Sequence, residues 1–238
     1  LLWTGSFHFG LLLYPIQNPN QERGAGVNKA LMTLSLLSSM NACLGQDESQ
    51  QVKTALDRAS HFMMDTVSLK GGFVMLYSED LSRRWGELPA RDSMVWVQDP
   101  ATVGVGELFL RAHQVTGVPE YLRFAMQAAA VLIYGQHPSG GWHYFIDFDP
   151  AGTSEWYDRV GSRCWGWEEY YHYYGNCTFD DTVTVDASRF LLHLYLETLD
   201  PTYRGPVLQS LRFLLESQYP NGAWPQRFPL DPEELLDR

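Results

Sequence analysis

Two stretches of the chain share the pattern Gln-x-Pro-x-Gly-x-Trp. They are QHPSGGW at 136–142 and QYPNGAW at 218–224, 82 residues apart (136 to 218). The echo extends upstream, where Pro119-Glu120-Tyr121 corresponds to Pro201-Thr202-Tyr203 at the same offset. Each Pro-x-Tyr opens an apolar helical pattern. In the second, Val207, Leu208, Leu211, Leu214 and Leu215 recur at helical spacing and give one apolar face. Another helical pattern precedes each, over 101–117 and 182–200. A more degenerate unit comes first: a helix over 50–68 leads into Lys70-Gly71-Gly72-Phe73. A chain that repeats at this period builds units that bury their faces only by stacking on neighbours. The expected fold is all-α, an α/α toroid of helical hairpins that is incomplete in this chain. Each hairpin would have an outer amphipathic helix and an inner, more apolar one. A flat helical solenoid is the alternative.

The turn itself has a structural reading. A helix end favours a left-handed residue, which glycine adopts at little cost, so Gly140 and Gly222 read as helix stops. Trp142 and Trp224 then either pack over the helix ends or present a ring to a ligand.

Composition narrows the classes. The net charge of −11 argues against non-specific nucleic-acid binding. It also means that an acidic polymer could be held only through a bridging cation or a local basic patch. The chain opens on Leu1, and residues 1–26 carry no assignment. Lys29 and the apolar run within 27–45 read as a secretory leader too short to span a membrane, so a secreted or periplasmic protein is expected. Residues 46–238 then form the N-terminal part of a toroidal catalytic domain, expected to be monomeric. Cys164 and Cys177 suit one disulfide or two free thiols. Asn176-Cys177-Thr178 matches a glycosylation sequon.

Chemistry is expected where loops precede the inner helices, at 83–100 and 143–181. The second ends in Thr178-Phe179-Asp180-Asp181-Thr182. Asp181 can cap the helix, and both acids favour its dipole. A cap needs only one of them, so the pair Asp180 and Asp181 is also a candidate hard-cation site, with calcium the fitting ion. The loop is dense in Tyr and Trp, which pack on the apolar faces of sugars or cover the rim of the fold. His172 has no second histidine at a metal-ligand spacing, so zinc is not expected. No phosphate loop, dinucleotide fingerprint or G-x-S-x-G elbow is present.

Two families share these motifs. Q-x-x-x-G-x-W resembles the QW repeat of triterpene cyclases, whose acidic D-x-D-D motif has its nearest counterpart in Asp147-Phe148-Asp149-Pro150, without the final pair. The closer resemblance is to pectate lyases of polysaccharide lyase family 10. It rests on Gly140-Gly141-Trp142, the Thr-Phe-Asp-Asp run at 178, QYPNGAWPQRFP from 218, WVQDPATVGVGE and GQHPSGGWHY, and covers roughly 50–230. The resemblance implies an α/α toroid that cleaves polygalacturonate by β-elimination with calcium, and it implies that Asp180 and Asp181 lie at the metal and substrate site. Asp181 stands where many members have Asn. Trp142, Trp224, Arg227, Tyr144 and Trp96 are the candidate substrate contacts, Arg227 through a bidentate grip on a uronate carboxylate. The family's base is an arginine from a later part of the fold, so no catalytic base is assigned here. A non-catalytic toroid that binds acidic glycans is the other reading.

Overall fold

The computed structural model describes residues 48–164, 168–171 and 175–230. The segment 1–26, the expected leader 27–45 and His172 lie outside them. Two compact units divide the chain between Thr54 and Ala55. In the first, residues 48–54 are helical. The second opens on helical residues 55–61 (α1), which widen into a π-helical turn over Phe62–Val67.

The rest of the second unit is a β–α–α–β motif used twice. Its first copy runs β3 (Met94–Trp96), α2 (Thr102–Thr116), α3 (Pro119–Gly135) and β4 (Phe145–Asp147). Its second runs β5 (Cys177–Thr178), α5 (Val183–Thr198), α6 (Pro201–Glu216) and β6 (Arg227–Phe228). A hairpin of β1 (Leu76–Tyr77) and β2 (Arg84–Trp85) precedes the first copy, and a short helix α4 (Thr153–Arg159) separates the two. The described residues are thus all-α in class, with short strand pairs only.

The 82-residue echo is carried by individual hydrogen bonds. Gly117 and Leu199 end α2 and α5 in the left-handed region, each donating its N–H to the carbonyl four residues back at 2.7 Å. Pro119 and Pro201 then open α3 and α6 at a position where a missing N–H costs nothing. In the turns, Gln136 Nε2 donates to Gly140 O and Gln218 Nε2 to Gly222 O, both at 2.9 Å. The indole of Trp142 donates to Leu132 O at 2.7 Å, and that of Trp224 to Leu214 O at 2.8 Å. Strands close each hairpin: Trp96 pairs with Phe145, and Thr178 with Arg227. Strands this short have no legible alternation, which is why the sequence shows only the helices.

Each motif docks on the turn before it. Thr102, fully buried, accepts the Phe73 N–H and donates to Phe73 O. Thr184 does the same for Trp142. Trp224 makes no such backbone exchange among the described residues, and it is 48% exposed where Trp142 is 0%.

The expected division into apolar inner and amphipathic outer helices holds for the second hairpin only. α5 buries Val183, Ala187, Phe190, Leu191 and Leu194, while α6 leaves Leu208, Leu211 and Leu215 exposed. In the first hairpin the outer helix α3 is the more buried, with Tyr121, Phe124, Ala125, Ala128, Ala129, Val131 and Leu132 inside. It is covered by α2 on one side and α5 on another, and Tyr121 also donates a hydrogen bond to Asp57 of α1.

The two turn glycines differ in the same way. Gly140 has φ 113°, and a Cβ there would lie 2.4 Å from Gln209 O. Gly222 has φ 87° with its nearest neighbour 3.9 Å away. Gly140→Ala should therefore destabilise by about 3 kcal/mol or more, strain and backbone clash combined, and Gly222→Ala by about 1 kcal/mol. Urea midpoints of the two variants test this; equal losses would contradict it.

Candidate active site

The two cysteines that could pair are both free. Cys164 Sγ donates to Val160 O, and Cys177 is buried beside Ser139, its thiol pushed up to about 11 by burial. The sequon asparagine is buried as well: Asn176 is 6% exposed and donates to Pro229 O, which leaves no room for a glycan on the folded chain.

The loop into α5 is bent by its backbone. The Asp180 N–H donates to Thr178 Oγ1 at 3.0 Å. Asp181 (φ 46°) and Thr182 (φ 60°) then both adopt left-handed conformations, each costing about 1–3 kcal/mol for a non-glycine residue. Two such residues in succession need support from their surroundings, and the side chains supply it. Asp180 Oδ2 accepts from Tyr144 Oη at 2.7 Å and from Gln226 Nε2 at 3.1 Å. Asp181 Oδ2 accepts from Gln98 Nε2 at 2.9 Å. Neither Oδ1 takes a hydrogen bond from the described residues. Asp181 is exposed and Asp180 half-buried.

This arrangement corrects the capping expectation. Thr182 is the N-cap of α5, and no side chain bonds its first-turn amides. The left-handed pair turns the chain before the helix begins, so the carboxylates face other partners. The acid in the first turn is instead Asp186, which accepts from Thr182 Oγ1 and pairs with Arg189.

The candidate substrate contacts divide. Trp96 and Trp142 are fully buried, so both serve the core and offer a ligand no surface. Trp96 sits in a ring cluster with Phe145, Trp156 and Tyr170, centroids 5.2–6.4 Å apart. Tyr144 is 2% exposed; its ring packs on Tyr170, and only its hydroxyl reaches the site, where it fixes Asp180. Burial first and Asp180 second raise the Tyr144 pKa, so it remains a donor. Trp224 and Arg227 remain accessible, the first exposed and the second half-buried on β6. The aromatic richness of the chain is thus mostly core.

Three further residues belong to the site: Gln226, Gln98 and Glu87. Two were visible through the repeat. Gln98 lies 82 residues before Asp180, and Gln226 lies 82 after Tyr144. Glu87 had no signal beyond its place in the loop 83–100. Its carboxyl is pushed up by burial, against hydrogen bonds from Tyr170 and Gln98 that lower it.

Among the described residues, no three His, Cys, Asp or Glu side chains are grouped so as to hold a metal ion. The donor chemistry of Asp180 and Asp181 still suits a hard cation, because each keeps a carboxylate oxygen uncommitted. Two carboxylates fill only part of the roughly six to eight oxygens that calcium takes. The remainder would come from water and from a ligand's own carboxylates. Two cavities, of about 340 Å³ between α2 and α5 and about 410 Å³ beside the turn 136–142, include neither acid.

His143 packs against the rings of Tyr144, Phe145 and Tyr157. Burial, and secondarily the charge of Arg227, lower its pKa from 6.5 to about 4. The folded state thus favours the neutral ring. Stability should be full above pH 6.5 and should be lost as pH falls from there through about 4. His143→Gln should flatten that part of the profile in thermal melts; an unchanged slope would rule the histidine out as its source.

The described residues thus form a protein of helical hairpin repeats, closed by short strand pairs, with two adjacent acids at the start of α5. Residues 149–233 match the family model described as pectic acid lyase, so the resemblance read from the sequence is met over that segment. The matched segment holds Asp180, Asp181, Trp224, Gln226 and Arg227. No curated protein matches the chain significantly. Among the described residues, no helix is long and apolar enough to cross a membrane.

Proposed function

We propose that this protein is a calcium-dependent pectate lyase of the α/α toroid type, acting on polygalacturonate by β-elimination outside the cytoplasm. One observation carries the reading. Asp180 and Asp181 stand side by side at the start of α5, within the segment that matches pectic acid lyase. Each is held by one carboxylate oxygen and keeps the other uncommitted.

The proton to be removed lies at C5 of a uronate, next to its carboxylate, and is weakly acidic while that carboxylate is charged. Calcium, when bound, neutralises this charge as a Lewis acid. Asp180 and Asp181 would hold the ion. Tyr144, Gln226 and Gln98 fix the two carboxylates, so the site needs little reorganisation on binding. Arg227 supplies a guanidinium for a neighbouring uronate carboxylate, and Trp224 offers an exposed ring for the apolar face of a sugar. With the chain at −11, these local groups must overcome a general repulsion of polyanions. None of the residues described here is assigned as the base.

The test is incubation with polygalacturonate and calcium, following the ultraviolet absorbance of the unsaturated product. A calcium-dependent rise above a heat-killed control is expected. Calcium-dependent binding of oligogalacturonate without turnover would instead make the protein an acidic-glycan binder. The cyclase reading has no support at Asp147 and Asp149, since Arg91 pairs with both carboxylates.

A further inference from the structure

Gln98 is 8% exposed, and both hydrogens of its amide are directed at carboxylates. Nε2 donates to Asp181 Oδ2 at 2.9 Å and reaches Glu87 Oε1 at 3.4 Å. The opposite amide orientation would set its oxygen against two anionic groups, so these partners fix the rotamer. The consequence is that Gln98 Oε1 is buried with no hydrogen-bond partner. A buried acceptor without a donor lowers stability. Packing alone therefore does not account for a glutamine at this position.

Two other observations bear on it. Glu87 is itself tied down, its Oε2 accepting from the buried Tyr170 hydroxyl at 2.6 Å. Gln98 also occupies the repeat position of Asp180, four residues ahead of the threonine that docks each motif on the preceding turn, Thr102 in one and Thr184 in the other. The repeat thus delivers Gln98 from one motif and Asp180-Asp181 from the next to a single place.

We propose that Glu87 and Gln98 are positioning residues for Asp181. Glu87, held by Tyr170, aims the Gln98 amide; Gln98 holds Asp181 Oδ2 and leaves Oδ1 presented to a hard cation. Without that tether the left-handed backbone at Asp181 loses its side-chain support. This rests on the reading of Asp180 and Asp181 as a cation-binding pair.

The experiment is calcium titration calorimetry on the whole chain, with terbium luminescence as a second probe, alongside thermal melts. Gln98→Leu should weaken calcium binding about tenfold while the melting temperature moves by no more than about 2 °C, because the orphaned oxygen is lost together with the tether and the two effects oppose each other. Gln98→Glu keeps the shape, removes the N–H donors and adds a negative charge; it should also weaken binding. Tighter binding by Gln98→Glu would show that charge alone governs the site and would overturn the proposal. Glu87→Leu should cost a similar factor, and the double variant Glu87→Leu/Gln98→Leu no more than either alone, since one acts through the other. If the wild type binds calcium and none of these variants weakens it, the positioning role falls and the lyase reading stands. If the variants weaken binding but polygalacturonate is never cleaved, the lyase reading falls and the positioning role stands. A wild type that binds neither ion overturns both.

Discussion

Replacing Asp180 with asparagine is expected to weaken calcium binding about 100-fold while moving the melting temperature by no more than about 2 °C. Asparagine keeps an oxygen to accept from Tyr144 and Gln226, so the local hydrogen bonds survive and only the charge is lost. Alanine at the same position should lose calcium equally and also destabilise by about 1–3 kcal/mol, because the Tyr144 hydroxyl is left buried without an acceptor. The two variants together separate the site from the scaffold. Were Asp180 a helix-end residue only, both changes would cost stability on the order of 1 kcal/mol and leave calcium binding intact. Calorimetric titration of the two variants decides between these outcomes, and an unchanged isotherm for Asp180→Asn removes Asp180 from any cation site.

The largest stability effect should come from Trp142. Both turn tryptophans donate an indole hydrogen bond to the carbonyl ten residues back, at 2.7 Å for Trp142 and 2.8 Å for Trp224. The hydrogen bond is the same in kind, so a difference between them must come from burial. Trp142 is 0% exposed and Trp224 is 48% exposed. Trp142→Ala should cost about 4 kcal/mol from lost transfer energy and the cavity left behind. Trp224→Ala should cost about 1 kcal/mol, little more than its hydrogen bond. Urea unfolding of the two variants gives the comparison. A Trp224→Ala loss as large as that of Trp142→Ala would show that the second ring is covered in solution.

The helices and their turns were readable because both are written at helical period and punctuated by Pro-x-Tyr and Gly-x-Trp. The strands were not, since pairs of two or three residues carry no periodicity. The short helix α4 fell in a stretch whose aromatics hide any pattern, and its seven residues are too few to establish one. At the site, Asp180 and Asp181 stood out as adjacent acids, and the structure holds each by its own partners, Asp180 by Tyr144 and Gln226 and Asp181 by Gln98. Their partners were harder to see. Tyr144 read as a sugar-facing ring, whereas its ring is core and its hydroxyl is the functional part. Trp96 and Trp142 misled for the same reason: an aromatic beside a glycine turn does not show whether its face points to solvent or into the protein. Gln98 carried a usable signal in its register with Asp180, but a glutamine and an aspartate at one repeat position do not look alike until their shared partners are seen.

The docking of each motif on the turn before it has a consequence for how the molecule comes apart. Thr102 and Thr184 make the couplings directional, each reaching back to Phe73 or Trp142. Stability then becomes a nearest-neighbour property, as in a one-dimensional lattice, and a hairpin's protection depends on how many neighbours hold it. α3, flanked by neighbours, should exchange its amide hydrogens slowest. α6, with Leu208, Leu211 and Leu215 facing water, should open first, and it would carry Trp224 and Arg227 with it while Asp180 and Asp181 stay anchored to Tyr144 and Gln98.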